Sequence, residues 1–139
     1  MKQSWMFILL ALAPYAISFA LPALHTEERW GEDRIPVSMY GWEVALFGWS
    51  AIIGSGKYWS MAWYANPLLL GTIAFYAGGF RVAQLTAIVG LLVACTSPFV
   101  SRIFSDKEPP SIYVTGMGIG FYFWLAAFVI MLLATFIKR

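Results

Sequence analysis

Met117-Gly-Ile-Gly-Phe-Tyr-Phe-Trp-Leu-Ala-Ala-Phe-Val-Ile-Met-Leu-Leu-Ala-Thr-Phe-Ile137 contains no charged residue along its whole length. At a helical rise of about 1.5 Å per residue it covers about 30 Å, the thickness of bilayer hydrocarbon. It reads as a membrane span, closed by Lys138-Arg139. Three further apolar runs precede it, at about 4–24, 60–79 and 82–100. The composition agrees, since 60% of the 139 residues are hydrophobic and 12% charged, against about 45–50% and about 25% in soluble domains. The expected architecture is one all-α transmembrane domain over 1–139, a polytopic membrane protein whose four transmembrane helices form an antiparallel bundle.

Working outward from the last span, Gly78-Gly79-Phe80-Arg81 separates the second and third runs so briefly that they must be antiparallel neighbours. The first run follows Lys2, and Pro14 inside it is expected to kink the helix. Ser18-Phe19-Ala20 offers the small residues of a signal-peptide cleavage site, but the run continues to Leu24, which favours a retained helix. Residues 25–36 hold four of the seven acids and read as a loop outside the bilayer, as does 101–116 with Pro109-Pro110.

Residues 38–53 are apolar but short. Trp42, Leu46, Trp49 and Ile53 share one helical face there, and Gly54-Ser-Gly-Lys57 ends the run. Seven Trp and Tyr residues lie between Tyr40 and Tyr64, and such rings favour the headgroup level. Residues 38–53 are therefore expected to form an aromatic-rich interfacial or re-entrant helix within an outer-face segment, 25–59. Lys2, Arg81 and Lys138-Arg139 lie in short segments without acids, which points both termini to the cytoplasm; a fifth crossing by 38–53 would move the C-terminus to the other face.

The chemistry-bearing residues are few. A net charge of +2 with scattered bases gives no footprint for nucleic acid. Cys95 is the sole cysteine and His25 the sole histidine, so no disulfide, thiolate cage or histidine pair for a metal is expected, and no cofactor. Cys95-Thr-Ser97 has no neighbouring base, and its hydroxyls are expected to bond back to their own helix. Gly116-Met-Gly-Ile-Gly120 opens a membrane helix with no strand expected before it, so its glycines read as helix contacts rather than a phosphate loop.

Five residues remain as candidates. Asn66-Pro67 has the form of an N-cap followed by the first helical residue, and would break a span into two half-helices. Glu43 is an ionisable group in apolar surroundings, functional by default at membrane depth and solvated if interfacial. Trp42 and Trp63 belong to the aromatic belt on either side of that segment.

Ser18-Phe-Ala-Leu-Pro22, Gly41-Trp42-Glu43 with Gly48-Trp49, Ala62-Trp-Tyr-Ala-Asn-Pro-Leu68 and Gly118-Ile-Gly-Phe-Tyr-Phe-Trp-Leu125 follow one another along most of the chain. In that order they resemble a family of small, uncharacterised bacterial inner-membrane proteins. The resemblance implies a bacterial plasma membrane and four helices, and supplies no activity, substrate or cofactor. With no catalytic constellation in sight, the expected role is non-enzymatic: an integral inner-membrane protein acting by contact, as an accessory or assembly subunit, a homo-oligomer or an immunity-type protein. Its expected partners are membrane lipids and a protein or a second copy in the membrane. The alternative is a small transporter or channel subunit using the discontinuous helix at Asn66-Pro67, with Glu43 as its ionisable group.

Overall fold

The computed structural model describes residues 2–30, 32–48, 61–100 and 111–137. Helix α1 (Lys2–Ala20) runs unbroken through Pro14 and, after a single residue, becomes strand β1 (Pro22–Trp30). The chain returns as β2 (Asp33–Tyr40) and passes directly into a short helix, α2 (Gly41–Phe47). A 3-10 turn, Met61–Tyr64, opens α3 (Ala65–Ala77), and α4 (Val82–Ala94) ends in a second 3-10 turn, Ser97–Phe99. Strand β3 (Ser111–Met117) enters α5 (Ile119–Ile137) after Gly118 alone.

This overturns the all-α expectation. The described residues form five helices and a three-stranded antiparallel sheet ordered β2-β1-β3, whose strands take up most of 25–36 and all of 111–116, residues that read as loops. Two helices, rather than four, are long and apolar enough to cross a membrane: Val82–Phe99 and Ile119–Ile137. The first run falls short because residues 22–24, apolar though they are, hydrogen-bond into β1 and leave Trp5–Ala20 as the apolar helix. The second is a helix of only 13 residues behind its 3-10 turn. Of the expected helix 38–53, residues 38–40 belong to β2 and Gly41–Phe47 to α2. Residues 49–53, the Gly54–Lys57 breaker, Pro109-Pro110 and Lys138-Arg139 lie outside the described residues.

Register explains why 22–40 is a hairpin. Thr26 faces Val37 and Val114, and Glu28 faces Ile35 and Ile112, so these residues share one side of the sheet. Glu27 and Arg29 alternate to the other side, where Arg29 Nε lies 2.8 Å from Glu27 Oε1 and the Arg29 guanidinium covers the Tyr113 ring at 4.2 Å. Arg34 approaches the same carboxylate oxygen at 3.7 Å. Bulges at Ala23 and Thr115 adjust the two pairings near the helices.

Helices α3 and α4 form the antiparallel pair that the short turn demands. Gly79 takes φ +75°, its N–H donates to Tyr76 O, and Phe80 N–H donates to Phe75 O. The Phe75 and Phe80 rings meet edge to face at 6.2 Å, completing a Schellman cap with its hydrophobic contact. Phe128, Leu69 and Met131 are the largest fully buried apolar side chains, where α3 and α5 meet. The outer surface is apolar as well: Leu9 and Leu92 are 64% exposed, Leu85 61% and Leu133 55%. Large apolar side chains exposed on so many helix turns are unfavourable in water and suited to lipid.

Candidate functional site at the seam between helices and sheet

Three strands of backbone crowd around residues 18–23, where α1 becomes β1. Gly41 N–H donates to Leu21 O at 3.0 Å and Gly118 N–H to Ala23 O at 2.8 Å. A Cβ on Gly41 would overlap Ser18 O, and one on Gly118 would overlap Pro22 O. At Gly120 it would lie 2.8 Å from Leu21 O and 2.9 Å from Pro22 O. Glycine is therefore required here for close approach, which joins the first turn of α2 and the start of α5 to the end of α1. Gly116, by contrast, has nothing within 4 Å of a Cβ position. Of the expected Gly116–Gly120 contact, only Gly120 takes part. A strand does precede Gly118 and Gly120, and both press on the Pro22 carbonyl at the start of β1.

Below the seam, one oxygen joins three helices. Trp124 Nε1–H of α5 donates to Asn66 Oδ1 at 2.8 Å, and Tyr15 Oη–H of α1 donates to the same atom at 3.2 Å. An amide oxygen has two lone pairs and accepts both. Asn66 is not the expected N-cap. Tyr64 is already helical, with φ −67° and ψ −14°, because the 3-10 turn feeds straight into α3. That leaves no extended residue at which an Asn could cap, and places Asn66 and Pro67 second and third in the helix. Pro67 is exposed and sits in the first turn, where a missing N–H breaks no helical bond.

The other candidates divide. Glu43 Oε2 accepts the Tyr40 N–H at 2.7 Å, holding the corner between β2 and α2 and occupying the position from which a carboxylate caps a helix. Trp63 Nε1–H donates to Ala45 O at 2.8 Å, and its ring lies against Gly48. Trp42 is 46% exposed and faces outward with Leu46 one turn on. Asn66, Glu43 and Trp63 thus serve as ties between elements, while Trp42 and Pro67 lie on the surface. His25 is exposed, with Nδ1 3.2 Å from Ser38 Oγ across the hairpin. As expected, Thr96 and Ser97 bond back to Val93 O and Ala94 O. Among the described residues no group of three metal-binding side chains gathers.

Tyr15 and Trp124 are not among the five candidates that the sequence singles out. Each brings a hydrogen-bond donor into an apolar helix, where water is scarce and a partner is needed; that signal was available. Of the seam glycines, Gly120 reads as a contact glycine from its spacing, whereas the need for Gly41 and Gly118 appears only once the strands are in place. No family model, curated protein or solved structure matches the chain.

Proposed function

We propose that the chain is a membrane-embedded contact protein that holds its three-stranded sheet outside the bilayer as a surface for a protein partner. α4 and α5 cross the membrane in this reading, and α1 and α3 pack against them. The observation that carries it is the seam: β1 and β3 continue α1 and α5 with one intervening residue each, locked by Gly41 and Gly118. A surface so joined has a fixed attitude to the membrane, which lowers the ordering cost of recognition.

Sidedness in this reading follows from where the basic residues fall. Arg81 precedes α4 at the end opposite the sheet, where α1 also starts and α5 ends, and Lys138-Arg139 come next after α5 in the sequence. By the positive-inside rule this end is cytoplasmic and the sheet with its acids is external, as in a bacterial inner membrane. The transporter alternative is disfavoured because Asn66 Oδ1 already holds two donors and Glu43 a backbone N–H. Two measurements test the reading. Proteoliposomes of the pure protein should show no ion flux above empty vesicles, and purification in mild detergent should recover one protein repeatedly. A current abolished by Glu43→Gln or Asn66→Ala would overturn the contact reading. A C-terminal fluorescent fusion that stays dark, beside an active C-terminal phosphatase fusion, would reverse the sidedness.

A further inference from the structure

The two faces of the sheet differ in kind. On one, Arg29 and Arg34 share the single carboxylate of Glu27, and Arg29 lies over Tyr113. On the other, Val37 and Val114 beside buried Thr26 form an apolar base, which continues to Ile112, Ile35 and Trp30 at the free end of the hairpin. Burial falls off along this face, so that Ile35 is 48% and Trp30 50% exposed at the tip. Glu28 and Asp33 stand directly opposite Ile35 and Trp30 respectively, and Glu32 is exposed in the turn. Among the described residues none of these three acids has a basic partner, whereas both arginines of the hairpin have turned to the other face.

Resting on the contact reading above, we propose that this tip docks a protein segment that is apolar at its centre and carries Lys or Arg on both flanks. Charge and reach select that occupant. β1 takes the chain about 26 Å from the end of α1 at about 3.3 Å per residue. Three acids around the tip, without a basic partner among the described residues, also oppose contact with an anionic lipid surface. A second copy docking by the same patch would set acid against acid across a two-fold axis. The half-exposed Trp and Ile offer roughly 200 Å² of apolar surface, far below the roughly 800 Å² per partner of a standard stable interface. A short segment with complementary charge fits what remains.

The test places a photo-reactive benzophenone amino acid at position 35, on the acid-rimmed face, or at position 34, on the arginine face, in cells expressing the full chain. The expected result is a protein adduct from position 35 whose cross-linked peptide is apolar with Lys or Arg on both sides. Glu28→Lys with Asp33→Lys should lower its yield about tenfold, while Arg34→Glu leaves it unchanged, and all variants should reach the membrane in equal amount. Adducts to lipid or to a second copy overturn the proposal, as does a protein adduct indifferent to charge reversal. A protein adduct from position 34 alone would overturn the choice of face and leave the contact reading standing. No protein adduct from either position would remove both.

Discussion

The α3–α4 pair and the α1–α5 pair are both antiparallel, yet they are specified in opposite ways. α3 and α4 are joined by a four-residue turn, and α4 offers a buried stripe of Ala83, Ala87, Gly90 and Ala94. Thr72 Oγ1 and Thr86 Oγ1 meet at 3.0 Å between them. Everything this pair needs is local and small. α1 and α5 stand at opposite ends of the chain and are aligned by the sheet, because β1 and β3 pair in register directly beyond them. The two pairs meet where Gly90 leaves room for Phe128 and where Asn66 accepts from Tyr15 and Trp124. A tight turn thus suffices for one pair, while the other depends on a structure outside the helices.

The largest break should come where the pairs meet. Phe128→Ala removes a side chain that is 1% exposed and stacks edge to face on Trp124 at 5.0 Å, and should destabilise by about 3–5 kcal/mol in denaturant titrations of the detergent-solubilised protein. The exposed Leu92→Ala should change stability far less. Next, Gly118→Ala should lower stability by about 2 kcal/mol by forcing β1 and α5 apart, and Gly116→Ala, with open space around it, should lie within about 0.5 kcal/mol of the parent. Comparable losses at both glycines would mean that the seam does not align α1 with α5.

Asn66→Ala leaves two donors unpaired and should destabilise by about 1–2 kcal/mol. Asn66→Ser should resemble Ala, since a hydroxyl one bond shorter does not reach both neighbours. A helix cap would behave otherwise and accept Ser. A double-mutant cycle with Tyr15→Phe should give a coupling of about 0.6 kcal/mol. Gly79→Ala, at φ +75°, should cost about 1 kcal/mol and act on the α3–α4 pair alone, leaving cross-links between α1 and α5 intact. The smallest effect is expected at Glu43→Gln, a few tenths of a kcal/mol, because the amide still accepts from Tyr40 while the negative charge at the helix start is lost.

The same contrast explains what could be read from residues alone. The α3–α4 turn, the apolar character of α4 and α5 and the back-bonding of Thr96 and Ser97 were legible because each depends on neighbours within a few positions. The strands were not. Glu28 lies on the apolar face, so His25-Thr-Glu-Glu-Arg-Trp30 shows a block of charge where a half-buried strand should alternate. Pro36 within β2 argues against a strand unless it lies at a sheet edge, which is where β2 is found. Ile112-Tyr-Val-Thr115 does have β-rich composition, and was hidden by the polar stretch before it. Asn66 stood out correctly as unusual, yet its use depends on Tyr15, some fifty residues earlier, and Trp124, nearly sixty later.

The pairing of the two ends has a consequence for the order of events during biosynthesis. α1 and β1 are made first, but the strand that flanks β1 on one side and the helix that covers α1 arrive about 100 residues later. At translation rates of about 5–20 residues per second, that is an interval of roughly 5–20 s. During it Tyr15 has at most Asn66 for a partner, the collar around residues 18–23 is open on the side of Gly118, and β1 has only its hairpin partner. The α3–α4 hairpin can close as soon as it leaves the ribosome; the junction that fixes the attitude of the sheet waits for α5. Among the described elements, the closure of β3 and α5 on β1 and α1 is therefore the last that synthesis allows, and a factor acting on the chain before then would meet a half-open form.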